Sequence, residues 1–328
     1  MRKVLLTTTA LVALGGISAA SALDISGFQR FEYSSWDDTA SNESGGANDT
    51  SITDYNRVVF SHSITGDSGL SASGYYRINN WAEAYQDLTL SGDFGSISVG
   101  NYTTAGGWMY NSHLYNGTFR SGTGQTFSGV STSASAAIAD GSTTAFGVTY
   151  TMPNIGGLSG MFSYADAGTT SAADITEAFL AYAGSAGDMS YRIHGGIANS
   201  DDSTGVANDD QENSEYGINV DSGAIGVRMS RAEKTTKSTL GVASAKIETN
   251  EYAVTYKASS DLTLGVIVLD SKDKLDTTNN PKLDQTVIAA NYFIMPGLRV
   301  QASTVDFDYE GATNNSGSSM NVALRIDF

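Results

Sequence analysis

The sequence predicts an all-β protein: a transmembrane antiparallel β-barrel of 16 strands behind a cleaved leader. Three observations predict it. At the C-terminus Met320, Val322, Leu324, Ile326 and Phe328 are apolar, while Asn321, Arg325 and Asp327 between them are polar. This period of two describes a strand with one oily and one wet face, ending on an aromatic. The same alternation recurs along the chain, and the segments that carry it are joined alternately by short, turn-rich and by longer connections.

The elements follow in order. Arg2 and Lys3 open a positive n-region, Val4 to Ala19 form an apolar core, and Ala20-Ser21-Ala22 gives small residues for cleavage. Residues 1–22 are thus expected to be a signal peptide and 23–328 a single barrel domain. After Leu23 no apolar run is long enough for a spanning helix. The mean hydropathy of -0.17 fits a barrel as well as a soluble protein, because lipid-facing and lumen-facing residues average out.

The short connections are Gly66–Gly69, Gly92–Gly95, Asn154–Gly157, Gly184–Asp188, Asp221–Gly223, Ser259–Asp261 and Met295–Gly297, all rich in residues that tolerate tight turns. The others fall near Ser35–Thr53, Asn79–Glu83, Tyr102–Gly141, Asp166–Ala173, Asn199–Ser214, Ala232–Thr249, Asp270–Gln285 and Asp308–Ser318. Both termini then lie on the side of the short turns, the asymmetry of outer-membrane barrels.

Among the strands, Leu70, Ala72, Gly74, Tyr76 and Ile78 oppose Ser71, Ser73, Tyr75 and Arg77. Phe146, Val148, Tyr150 and Met152 alternate cleanly. Met189, Tyr191, Ile193 and Ile197 oppose Ser190, Arg192 and His194. Tyr216, Ile218 and Val220 with Ile225, Val227 and Met229 form a hairpin, and Leu298, Val300 and Ala302 face away from Arg299 and Gln301. Two segments do not declare a facing: Val58-Val59-Phe60, and Val287 to Ile294, which is apolar on both sides.

A barrel of this strand number is too wide for side chains to fill, so an aqueous lumen is expected, with ions and small hydrophilic solutes diffusing through it. The connection Tyr102–Gly141 is the longest, and its Gly, Ser and Thr are interrupted by Trp108, Met109, Tyr110, His113, Tyr115 and Phe119. A connection of that length is usually functional, and it is expected to fold into the lumen and narrow it.

The leader, the alternating strands, the terminal Phe328 and the block Asp87-Leu88-Thr89-Leu90-Ser91-Gly92-Asp93-Phe94-Gly95-Ser96-Ile97-Ser98-Val99-Gly100 ahead of a long third loop together resemble the general trimeric porins of Gram-negative outer membranes, most closely the alphaproteobacterial branch. The resemblance spans the whole chain. It implies a homotrimer with one pore per subunit, and an eyelet in which wall arginines face carboxylates of the third loop. Arg30, Arg57 and Arg77 match the basic half, with Tyr75 on the lumen side of Arg77's strand. The acidic half departs from the family. Between Tyr102 and Ala139 there is no Asp or Glu, and the only full charge is Arg120. Glu32, Glu83 or Asp87 are candidates to supply the missing charge. Pore-lining candidates are therefore Arg30, Glu32, Arg57, Tyr75 and Arg77 on the wall, and Trp108, Tyr110, His113, Tyr115 and Arg120 on the loop. Two other readings stay open, a channel tuned to one solute class and a plugged structural or adhesive barrel.

Other chemistry finds little support. The formal charge of -17, which becomes -19 once Arg2 and Lys3 are removed, argues against nucleic-acid binding. There is no Cys, and His62, His113 and His194 are far apart, so no zinc pattern exists. No nucleophile motif supports an enzyme, and no cofactor is expected. Acidic groups in the longer connections (Asp37 and Asp38; Asp201, Asp202, Asp209, Asp210 and Glu212; Asp270, Asp273 and Asp276) suit Ca²⁺ or Mg²⁺ at the surface only weakly. Outer-membrane lipid and lipopolysaccharide are the expected surroundings, with Lys234, Lys237 and Lys246 available to phosphates.

Overall fold

The recurrent alternation becomes a single closed sheet. A computed structural model describes residues 23–38, 50–101, 130–132, 146–166, 174–201, 210–237, 243–312 and 314–328. The strands are β1 (Asp24–Asp38), β2 (Thr50–Thr65), β3 (Ser71–Asn79), β4 (Ala82–Gly92), β5 (Gly95–Gly100), β6 (Phe146–Thr151), β7 (Leu158–Asp166) and β8 (Asp174–Ala186). They continue as β9 (Met189–Asp201), β10 (Asp210–Ser222), β11 (Ile225–Lys237), β12 (Ala243–Lys257), β13 (Leu262–Asp273), β14 (Lys282–Met295), β15 (Leu298–Glu310) and β16 (Asn315–Asp327). Every strand pairs with its sequence neighbours, and β1 pairs antiparallel with β16 to close the barrel. Closure matters physically. An open edge in hydrocarbon would leave a row of backbone donors and acceptors unsatisfied, at several kcal/mol each.

The seam is bonded on both levels. Gly27 N–H donates to Phe328 O at 2.9 Å and Phe328 N–H donates to Gly27 O at 3.1 Å. Inside the barrel, Ser34 Oγ donates to Asn321 Oδ1 at 2.8 Å. The tight turns use the residues their geometry demands. Gly95 has φ of +98°, and a Cβ there would lie 2.1 Å from Thr151 O, so the Gly92–Gly95 turn needs glycine. On the opposite side, β3 and β4 are joined through Asn80 and Trp81, with φ of 46° and 67°. Two successive positive φ values are the signature of a type I′ hairpin.

Several connections are shorter than the sequence suggests. Ser35–Thr53 reduces to residues 39–49, Ala232–Thr249 to 238–242, and Asp270–Gln285 to 274–281. Strands continue past the apolar band because backbone pairing needs no apolar side chain, and polar residues alternate above the membrane without any hydropathy signal. Lys234, Lys237 and Lys246 therefore sit on strand ends rather than in a loop. Asp270 and Asp273 lie on opposite faces of β13, so they do not form one cation site. Among the described residues no group of three or more His, Asp or Glu is arranged to hold a metal ion.

The outer face is the apolar one. Val148, Ile193, Ile197, Met229, Val254, Val266, Ile288, Met320, Val322 and Leu324 are all exposed and point away from the lumen. A soluble protein does not leave a patch of that extent uncovered. Exposed aromatic side chains mark its two borders, Tyr150, Tyr182, Tyr256 and Tyr292 toward the short turns and Phe146, Tyr164 and Tyr216 toward the other end. These are the girdles expected where rings sit at headgroup level. Among the described residues no helix is long and apolar enough to cross a membrane, as a barrel crosses with strands.

The undeclared segments now resolve. Val59 pairs with inward Arg77, so Val58 and Phe60 face lipid. Ile288, Tyr292 and Ile294 are exposed on the outside, whereas Val287 and Ala289 are buried on the inside. The inner wall thus carries apolar residues of its own.

In the connection 274–281, Asp276 accepts N–H groups from Asn279 at 2.9 Å and Thr278 at 3.0 Å. These bonds, with the side-chain amide of Asn279, hold its carboxyl below the usual value of 3.8. Because the folded value is depressed, the ordering it provides is present above pH 3.8 and lost as pH falls through the folded value. The Asp276 carboxyl should titrate below a model peptide by NMR, and Asp276→Asn should remove the acid transition of this loop.

Candidate functional site

Pairing register fixes which side chains enter the lumen. On β1, β2 and β3 the inward set includes Phe28, Arg30 and Glu32, then Tyr55 and Arg57, then Tyr75 and Arg77. Arg57 Nε donates to Asn79 Oδ1 at 3.1 Å, and its guanidinium lies 5.1 Å from the ring centre of Phe28. Arg77 is stacked at 3.6 Å over Tyr85 of β4. Aromatic faces attract cations and keep these long side chains extended along the wall. Glu32 is in contact with Arg30 at 3.4 Å. Asp87 also faces inward, directly opposite Tyr75, and accepts from Thr89 Oγ1 at 3.3 Å.

Acidic groups line the far side of the ring. Glu177 on β8, Glu215 on β10, Glu251 on β12 and Asp273 on β13 are inward and buried. Ser163 Oγ donates to Glu177 Oε2 at 2.8 Å, and His194 Nε2 lies 3.5 Å from Glu215 Oε1. Four carboxylates on β8–β13 thus share the inner wall with three arginines on β1–β3. Nearer the short turns the separation is less strict. Arg228 of β11 makes a two-oxygen pair with Asp221 at 2.7 and 2.8 Å, and Arg192 of β9 lies over Phe179 at 5.4 Å.

The inner wall of β12–β15 also carries two apolar clusters among its polar residues. Ala253, Ile267, Val287, Ala289 and Val305 form one cluster, and Leu269, Leu283, Phe307 and Tyr309 a second. Ile267, Val287 and Val305 are 0% exposed. Inward side chains of a wide, water-filled barrel would be wet, so this stretch is covered from within. One piece of the chain between β5 and β6 is seen there. Val130 packs on the second cluster, and Ser131 N–H donates to Ser271 Oγ at 2.9 Å.

The five wall residues expected from the sequence are thus all inward, with Arg30, Arg57, Arg77 and Tyr75 on one arc and Glu32 beside Arg30. Trp108, Tyr110, His113, Tyr115 and Arg120 lie outside the described residues, as does the side chain of Glu83. The sequence reading missed the wall carboxylates. Their signal was parity: Glu177, Glu215 and Glu251 each alternate with residues exposed to lipid, such as Leu180, Tyr216 and Tyr252.

The family model for Gram-negative porins matches residues 7–312. The chain is a Gram-negative porin. Solved structures carry the same fold at low identity. A double mutant of the Rh. blastica porin is 19% identical, with 93% of this chain and 100% of that one covered and a TM-score of 0.64. The anion-selective porin from Comamonas acidovorans is 13% identical, with 94% and 100% covered and a TM-score of 0.68. OmpT of Vibrio cholerae is 15% identical, with 95% and 99% covered and a TM-score of 0.68. A search of curated protein sequences gives no match. As a porin, this protein forms a water-filled outer-membrane channel for passive diffusion of ions and small hydrophilic solutes. Selection in such a channel is by size and charge at the narrowest section, which the lumen-facing side chains set.

Proposed function

We propose that the passage of this porin runs along the arginine and tyrosine face of β1–β3, because Val130 and Ser131, in the described part of the connection between β5 and β6, lie against the wall of β13–β15. The observation that carries this reading is the seating of Val130 and Ser131 on the inward face of β13–β15. Arg30, Arg57 and Arg77 with Tyr75 form the positive side of the constriction, Glu32 tempers Arg30, and the carboxylates of β8–β13 form the negative side. Trp108, Tyr110, His113, Tyr115 and Arg120 complete the eyelet from the intervening segment. The mature chain is a single barrel domain of residues 23–328, exported with loss of residues 1–22. It assembles as a homotrimer among outer-membrane lipid and lipopolysaccharide, with no catalytic step and no bound cofactor. Divalent cations at the acidic rim are a weaker part of the same reading.

Two experiments test it. The protein has no Cys, so Ser131→Cys with Ser271→Cys introduces a single pair. The 2.9 Å contact places these positions within reach of a disulfide, and mild oxidation should give a fast-migrating species on unheated gels. Failure to cross-link in folded protein would remove the segment from this wall. Second, Arg77→Ala should move the reversal potential in a salt gradient toward cation preference. An unchanged potential would place Arg77 away from the ion path. Chemical cross-linking to trimers tests the assembly.

A further inference from the structure

The basic arc of β1–β3 continues across the seam where the barrel closes, onto β16 and β15. Arg30 on β1 is directly opposite Arg325 on β16, and Arg325 is directly opposite Arg299 on β15. All three face the lumen, in a row near the short-turn end. Residues directly opposite on neighbouring strands have Cβ atoms roughly 5 Å apart, and like charges so placed destabilise a sheet. Arginine cannot relieve the repulsion by losing a proton. Three in a row therefore carry a cost that barrel closure alone does not explain.

The surroundings hold the guanidinium groups in place with aromatic faces and two carboxylates. Arg325 lies 3.8 Å from the ring centre of Phe28, Arg30 lies 5.2 Å from Tyr55, and Arg299 lies 5.5 Å from Phe293. Phe28 and Tyr55 stack on each other at 5.5 Å, and Arg57 also lies 5.1 Å from the ring centre of Phe28. Asp327 bridges two members of the row, 2.5 Å from Arg325 Nη2 and 3.3 Å from Arg299 Nη2. Glu32 meets Arg30 at 3.4 Å. Arg30, Arg299 and Arg325 touch the two carboxylates, and Arg57 adds a fourth guanidinium beside Phe28, so four positive charges are set against two negative ones. Arg299 Nε–H has no hydrogen-bond acceptor among the described residues.

We propose that this row is a binding site for small dicarboxylates, running from Arg30 at the constriction toward the periplasmic end of the channel. The proposal rests on the reading of the lumen as an aqueous pore. The planar forks match carboxylates in shape and charge, and a dianion restores neutrality across the row. Binding must be weak enough for the solute to leave, so the site raises local concentration rather than trapping.

The test uses succinate as probe and acetate as control, added to purified porin in a planar bilayer at fixed potassium chloride. Succinate should reduce the chloride current with a half-effect in the millimolar range, and acetate should not do so at equal charge concentration. Arg299→Gln with Arg325→Gln should raise the half-effect concentration at least tenfold, and Asp327→Asn should lower it. If the double variant does not assemble, Arg299→Gln alone should still raise it several-fold. Equal block in wild type and variants, or equal action of succinate and acetate, overturns the site while leaving the channel intact. Absence of any current from folded wild-type protein overturns the channel reading itself and the site with it.

Discussion

Ile288→Arg is expected to destabilise the barrel by about 2–4 kcal/mol, the cost of a cation on the lipid face near the bilayer midplane. Ile288 is exposed on β14 and sits between Val266 and Thr304 on the neighbouring strands, with other lipid-facing residues above and below. Ser73→Arg is the control. Ser73 faces the lumen from β3, where it pairs with Ser63 and Thr89, and a long cation there can reach water. Its cost should be near zero. Urea unfolding from lipid vesicles measures both. Equal tolerance of the two substitutions would mean that hydrocarbon does not bathe the outer face.

The second large effect is expected at Phe307. Its ring is 2% exposed on the inward face of β15, among Leu269, Leu283 and Tyr309 and under Val130. Truncation of a buried Phe to Ala usually costs about 3–5 kcal/mol, through lost transfer energy and the cavity left behind. Phe162→Ala, on the lipid side of β7, should cost less, because lipid chains fill the space. Loosening the inner cluster should also release the segment that holds Val130, so Phe307→Ala should show a larger and noisier single-channel current. A stable variant with unchanged current would remove this cluster from the support of the constriction.

Much of the fold was legible in the sequence because a barrel strand advertises itself by parity. The sets Leu70 to Ile78, Met189 to Ile197 and Tyr216 to Met229 face lipid as the alternation requires, and the turns lie where Gly, Asn and Asp accumulate. Parity was silent where its assumption fails. Val287 and Ala289 are apolar yet face inward, because part of the inner wall meets protein rather than water. Strand ends were also hidden, since residues such as Lys234 and Asp270 extend the sheet above the membrane with no change in hydropathy.

The site was half legible. Arg30, Arg57 and Arg77 share early strands and could be grouped along the chain. Arg30 and Arg325 belong to opposite ends of the sequence and meet only because β1 pairs with β16. Glu177, Glu215 and Glu251 are separated by whole hairpins, and their common direction follows from register rather than from spacing. A sequence reading that takes closure as given and lists every inward charge strand by strand would have found both.

The most direct measurement is the single-channel current of purified protein in a planar bilayer. A closed barrel with lipid outside and water inside predicts discrete, roughly ohmic conductance steps in potassium chloride, blocked by no reducing agent and abolished by unfolding. A folded, membrane-inserted protein that carries no current at any voltage would contradict it.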